Sequence, residues 1–421
     1  MNVTNLDHRL ALRALANGKA AAVLHDELFV GRTTELALFD SDLDLIEAGG
    51  SSLRILVGER GSGKTMLMQA IAERARGRRF VTASADLGPD CLLHGRGGEG
   101  RALLAKTILG MRTALAGDQP AIDSIAGRFG NECRSDAESS GQLPRDFMRA
   151  KLGDLHSLPK GAEFAKVIQA FALASENSVV ATNARRWLCG SYSTLGDARD
   201  ELGVGSIIED QDFWPIQKLW SSFIRHAGRP GFLLFLDEAR ILCELHNSNA
   251  RTLNLEQLLT ILNDILQGHV HGIGIVIAAT PSFVTQWNGM AKHEGLSSCL
   301  SHQMRQTDLH PENDGIIVHL QDLGEGELVD LLQRCRRLYA TCHPAAPVLP
   351  DEALELFLET CRNQIGAARW RVPRVILQRF ITIQQRLLAN PKSDWRDLLS
   401  REESGADDPE KEFEGYAQRY M

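Results

Sequence analysis

The hydrophobic pattern of the chain switches between two periods. Ala11, Ala14, Leu15 and Ala22 share one helical face, which predicts a helix over 7–24, and a second helical stretch at 33–48 follows Phe29-Val30-Gly31-Arg32. Short continuous apolar runs then appear. Arg54-Ile55-Leu56-Val57 predicts a strand that ends in the glycine-rich turn 58–63 and leads into a helix over 64–76. A second strand is predicted at 79–83 and a helix at 100–116. From about 117 to 212 the chain turns polar and glycine-punctuated, with helical stretches near 162–175 and 178–190, and reads as an insertion. A helix at 211–227 precedes the apolar run 232–236, which ends in Asp237-Glu238; a helix at 253–267 precedes the run 273–279, which ends in Thr280-Pro281; a further strand is predicted at 315–320. Runs this uniformly apolar belong to strands buried on both faces, and their alternation with helices predicts an α/β fold: a parallel sheet with helices on both faces. Helices at 324–340, 350–362 and 373–389 follow without strands. The expected organisation is an N-terminal helix (1–27), an α/β core (28–320), a three-helix lid (321–392) and an acidic, mobile tail (393–421).

Composition narrows the class. Hydrophobic residues make up 43 % and charged residues 24 %, so fibrous and wholly disordered classes are excluded. With 46 basic against 54 acidic residues the net charge is −8, and any contact with nucleic acid has to come from a local patch; the arginine runs at 74–79 and 334–337 are the candidates for weak, sequence-independent DNA binding. The eight cysteines contain no C-x-x-C pair and read as reduced thiols. The first 22 residues lack an apolar signal core, and no apolar window is long enough for a membrane span, so the expected location is cytoplasmic.

The chemistry concentrates in a few places. Gly58-Glu59-Arg60-Gly61-Ser62-Gly63-Lys64-Thr65 fits G-x-x-x-x-G-K-[ST] between a predicted strand and a predicted helix. Its glycines let backbone N–H groups turn onto phosphates, Lys64 neutralises phosphate oxygens, and the Thr65 hydroxyl ligates magnesium at the positive helix end, with Met66 following in the same turn. The predicted cofactors are ATP and Mg2+. Asp237 and Glu238, at the tip of a buried strand, read either as a magnesium-holding carboxylate followed by the group that orients the attacking water, or as a strand followed by an acidic helix cap. Thr280 either hydrogen-bonds the same water or is an ordinary strand exit before Pro281. Arg374 stands in the first turn of a helix opened by Pro373, where a cation opposes the helix dipole unless an anion compensates; the alternative is a surface arginine. Arg305 is the candidate for a finger that reaches a neighbour's nucleotide.

With these residues in place, the chain resembles AAA+ ATPases of the origin-recognition (replication-initiator) clade. Phe29-Val30-Gly31-Arg32-Thr33-Thr34-Glu35-Leu36 is similar to that clade's adenine-side box, and the phosphate loop, Asp237-Glu238, Thr280 as first sensor and Arg374 as second sensor follow in the clade's order. Within the clade it looks most like the BREX phage-defence ATP-binding proteins of the BrxD type, which share a similar N-terminal helix, a long helical insertion and a Trp-Leu-x-Gly element, here Trp187-Leu188-Cys189-Gly190. The resemblance implies a P-loop AAA+ core with a helical lid, and an ATPase that binds and hydrolyses ATP beside a helicase or other DNA-processing partner, possible as an oligomer. It also implies nucleotide contacts from Val30, Gly31 and Arg32. Two departures stand out: Lys64 and Asp237 are 173 residues apart, and too little chain follows residue 389 for the winged-helix module usual in initiators. The alternative function is a nucleotide-dependent switch or scaffold with little turnover that recruits such a partner. A small-molecule P-loop kinase is disfavoured by the adenine box, the sensor strand and the arginine-headed lid helix.

Overall fold

Five strands form one all-parallel sheet in the computed structural model of the chain, which describes residues 5–18, 25–114, 121–175, 178–285, 289–298, 315–344, 346–365 and 370–403. The strands are β1 (Ser52–Val57), β2 (Val81–Asp86), β3 (Phe232–Asp237), β4 (Ile273–Ala279) and β5 (Ile317–His319), in the spatial order β2-β3-β4-β1-β5. Every residue of β4 and all but the last of β3 are buried, as the uninterrupted apolar runs require of strands covered on both faces. The register places Val57 opposite Ala279, Leu236 opposite Ile277 and Asp86 opposite Asp237, so the strands end at a common carboxyl edge. The outer flank of β2 is closed by a single antiparallel bridge between Thr82 and Arg112. That bridge explains one correction: the helix expected over 100–116 spans Glu99–Leu109, because the chain turns at Gly110 to lay Arg112 beside Thr82. A second correction is β2 itself, which runs from 81 to 86 instead of 79–83, since Arg79 sits in the left-handed region at φ 70°.

The chain divides into two compact units. The larger consists of Thr33–Gly58 and Ala70–Leu320. Its core is continuous from the sheet into the 117–212 segment: Ile125, Phe129, Phe164, Ile168 and Trp187 belong to the same buried cluster as Ile55, Leu234 and Ile277. The segment is more helical than its composition suggests, with helices Ile122–Ser140, Pro144–Lys151, Gly161–Leu173, Val179–Leu188 and Leu195–Leu202. Its aromatics meet those of the Phe213–His226 helix edge to face, Phe129 with Phe223 at 5.2 Å and Phe164 with Trp220 at 5.5 Å. The Trp-Leu-x-Gly element is part of this packing. Trp187 is fully buried and donates from Nε1 to the Ser206 carbonyl at 2.9 Å, and Gly190 supplies a left-handed residue just past the helix end at φ 68°.

The smaller unit consists of Met1–Arg32, Glu59–Gln69 and Gln321–Met421. Helices Glu325–Cys342, Asp351–Ile365 and Pro373–Ala389 match the expected three, and Asn5–Ala16 replaces the longer expected first helix, the chain leaving it through left-handed Gly18. Leu12, Val30, Leu332, Phe357, Ile376 and Phe380 form its core. A fourth helix, Trp395–Glu403, occupies the start of the stretch expected to be a mobile tail. Leu398 and Leu399 are buried in that core and Trp395 packs against it, so one apolar face outweighs the acidic composition. Among the described residues seven cysteines are buried, and burial pushes the thiols of Cys189, Cys243 and Cys335 up to about 12, which keeps them protonated. Among the described residues no helix is long and apolar enough to cross a membrane.

Candidate functional site

In the smaller unit the phosphate-loop residues meet the Val30-Gly31-Arg32 box and the start of the Pro373–Ala389 helix. The loop needs left-handed backbone at Gly61 (φ 85°) and Gly63 (φ 99°), which glycine adopts without penalty. A Cβ on Gly61 would stand 2.7 Å from the Cβ of Arg374 and 3.1 Å from Val372, whereas beside Gly63 there is open space. The Arg374 N–H donates to the Gly61 carbonyl at 3.3 Å, and Arg32 Nη2 donates to the Ser62 carbonyl at 3.1 Å. Two loop carbonyls are thereby occupied, and neither is free to repel an anion. Lys64 Nζ folds back to the Glu59 carbonyl at 2.9 Å, and Lys64 and Thr65 open the helix Lys64–Gly77, whose first N–H groups carry the positive end of the helix dipole. Glu59, Arg60 and Thr65 are exposed, while Met66 turns its side chain toward the core of this unit.

The box residues make their contacts within the smaller unit. Val30 is buried in the core, and Gly31 is held against the Glu327 side chain, which a Cβ would strike at 2.2 Å. Arg32 is buried, left-handed at φ 65°, and donates to the carbonyls of Ser62 and Gln321. The Arg374 side chain is exposed in the first turn of its helix, as the sequence indicated.

In the larger unit several residues singled out in the sequence lie at the carboxyl edge of the sheet. Gly58 continues β1 by donating its N–H to the Ala279 carbonyl at 3.2 Å, Asp237 ends β3, and Thr280 follows β4. These are three neighbouring strands, so the phosphate loop departs from the strand flanked by the one that carries Thr280. Glu238 is left-handed at φ 59°, a conformation that costs a non-glycine residue about 1–3 kcal/mol and is concentrated at functional sites. Its N–H donates to Asp237 Oδ1 at 2.7 Å, and the chain then folds back so that the Ala239 N–H reaches the Ala278 carbonyl at 3.1 Å.

Sequence reasoning missed two participants at this edge. Arg240 donates from Nε to Glu238 Oε2 at 2.9 Å and from Nη1 to both oxygens of Glu244, at 2.9 and 2.7 Å, so it holds the Glu238 carboxylate from two residues away. Asp86 lies opposite Asp237 in register; partial burial holds its carboxyl above the ordinary range, with Asp237 and Glu238 adding to the shift and Lys106 opposing it. A carboxylate crowded in this way fits the approach of a divalent cation. Among the described residues no three His, Cys, Asp or Glu side chains gather into a metal cage. On the loop side, the Ser62 hydroxyl is buried with no partner among the described residues, and the open space beside Gly63 leaves room for a phosphate oxygen. The Thr280 hydroxyl is paired with that of Ser282 at 2.7 Å.

The whole arrangement lies within a single family match: the sequence matches the BREX system ATP-binding protein BrxC/D family over residues 3–403. The chain belongs to that family. No curated protein matches it. As a BREX ATP-binding protein it binds ATP within a multi-subunit phage-defence system. Arg305 lies outside the described residues. Four arginines of the runs suggested for DNA contact are engaged in ion pairs: Arg74 with Asp40 at 2.5 Å, Arg78 with Asp44 and Glu47 at 2.6 and 2.7 Å, Arg334 with Asp330 at 3.0 Å and Arg336 with Asp351 at 2.6 Å.

Proposed function

We propose that this BREX ATP-binding protein hydrolyses ATP to ADP and phosphate with magnesium, as the nucleotide-driven member of a DNA-associated defence complex. The observation that carries the reading is the arrival of Gly58, Asp237-Glu238 and Thr280 at one edge of a parallel sheet, on three neighbouring strands, where ligands of such sheets bind. The amides of 59–65 and Lys64 bind the phosphates. Thr65 and Asp237 would hold the magnesium ion, which neutralises charge on the phosphate oxygens. Glu238 accepts a hydrogen bond from the attacking water and holds it in line, because phosphoryl transfer to water depends on an oriented nucleophile. Thr280 supports the same water, Arg374 answers the charge on the γ-phosphate, residues 321–392 serve as the lid, and Arg305 is the candidate finger for a neighbouring copy. Because the arginines at 74, 78, 334 and 336 are paired with carboxylates, DNA is reached through a partner, such as a helicase, more readily than through those runs.

One observation favours the second reading, a nucleotide switch with little turnover: the Glu238 carboxylate is engaged by Arg240. Calorimetry and single-turnover phosphate release separate the two. Hydrolysis predicts that Lys64→Ala loses ATP binding, whereas Glu238→Gln keeps it and loses about a hundredfold or more in turnover. A wild-type protein that binds ATP tightly but releases phosphate no faster than Glu238→Gln is the switch.

A further inference from the structure

Arg32 is the least expected residue of the loop's surroundings. Two consecutive residues, Gly31 and Arg32, are left-handed, both at φ 65°. Glycine takes that conformation freely. An arginine keeps it only where its surroundings over-determine it. Arg32 is 8 % exposed, and its guanidinium forks between two backbone carbonyls: Ser62, inside the phosphate loop, and Gln321, at the start of the segment that enters the Glu325–Cys342 helix. A planar fork with fixed donors holds two acceptors at a set separation, which a lysine ammonium cannot reproduce. Next to Ser62, the Gly61 carbonyl is taken by the Arg374 N–H. The loop is therefore held from its carbonyl side at consecutive residues, by the box in one case and by the lid helix in the other.

We infer that Arg32 is a positioning residue, which presets the phosphate loop and ties it to the entrance of the lid, and not a contact to the nucleotide. The inference rests on reading 58–65 as the nucleotide site, and it deepens that reading by separating two arginines. Arg32 acts on the loop that every nucleotide uses, so its loss weakens ATP and ADP by the same factor. Arg374, if it answers the γ-phosphate, discriminates between them.

The test combines hydrogen exchange with calorimetry on the full chain. In nucleotide-free protein, Arg32→Ala and Arg32→Lys should both speed amide exchange across 60–65 relative to wild type. Each should weaken ATP and ADP equally, by about ten- to hundredfold, the range set by losing buried hydrogen bonds to a charged donor. Guanidinium ion at millimolar concentration should restore affinity to Arg32→Ala, and sodium chloride at the same ionic strength should not; a general loss of folding would not respond to that difference. Arg374→Ala should weaken ATP more than ADP. Unchanged exchange over 60–65, or a loss confined to ATP in the Arg32 variants, overturns the inference. If instead Lys64→Ala binds ATP like wild type, the loop is not the nucleotide site and that reading fails, while the exchange measurement still decides whether Arg32 holds the loop.

Discussion

Glu238 combines a strained backbone with a restrained side chain. Its left-handed conformation follows from the chain turning back onto β4, and its carboxylate is drawn toward Arg240, which Glu244 anchors from the far side. Both partners of the Glu238–Arg240 pair are partly exposed, so the pair is worth about 0–1 kcal/mol. That is still enough to set a basal rate. Replacing Arg240 with methionine should raise single-turnover hydrolysis by up to about fivefold without changing ATP affinity. A fall in the rate would mean that Arg240 aligns Glu238 for the reaction instead of holding it back. Residues of this kind divide sharply in legibility. Lys64 and Thr65 are readable because their spacing is the chemistry itself, whereas Arg32 and Arg240 act through side-chain directions that no spacing encodes. Asp86 was within reach, since it is the acidic tip of a strand, but the strand was placed two residues too early.

The elements divide along similar lines. The uniform apolar runs of β3 and β4 made a buried parallel sheet predictable, and the three C-terminal helices followed from their periodicity. The Ile122–Ser140 helix was missed, although Ile122, Ile125, Ala126, Phe129, Cys133 and Ala137 share a face, because Gly127, Gly130 and its serines look like loop. Gly130 has a packing reason to be there: a Cβ would stand 2.3 Å from the Ala172 carbonyl of the neighbouring helix. A different link between elements was invisible in the sequence. Arg54 of β1 forms a bidentate pair with Asp42 of the Thr33–Glu47 helix at 2.7 and 2.8 Å and also donates to the Gly315 carbonyl at 2.6 Å. Its side chain is only 12 % exposed and that of Asp42 9 %, so removing one partner strands a largely buried charge. Asp42→Ala should therefore destabilise the protein by about 3–5 kcal/mol in denaturant unfolding. A loss below about 1 kcal/mol would place the pair among ordinary surface contacts.

For the whole molecule, the chief revision concerns residues 117–212. The segment reads from the sequence as an insertion, yet its apolar faces close the same core as the sheet. Removing it would expose Trp220 and Phe223, which its Phe129 and Phe164 cover. A chain lacking 117–212 should fail to give a cooperative thermal transition, and Phe129→Ala in the full chain should cost about 3–5 kcal/mol. A deletion that melts cooperatively and still binds ATP would show that the segment is separable from the core. The sequence by itself determined the α/β class, the glycine-rich loop motif, the acidic strand tip, the three C-terminal helices and the family resemblance, because each is local or periodic: a strand rhythm, a helix rhythm, or a fixed spacing. Tertiary structure alone decided that Arg32 holds the loop, that Arg240 holds Glu238, that Asp86 joins the carboxyl edge, that Arg74, Arg78 and Arg336 meet carboxylates of other segments, and that the insertion belongs to the core. Each of these depends on which side chains from distant segments, or from a turned backbone, point at one another. Apolar burial is the same whichever neighbour supplies it, so a sequence pattern can announce that a face is covered without revealing what covers it.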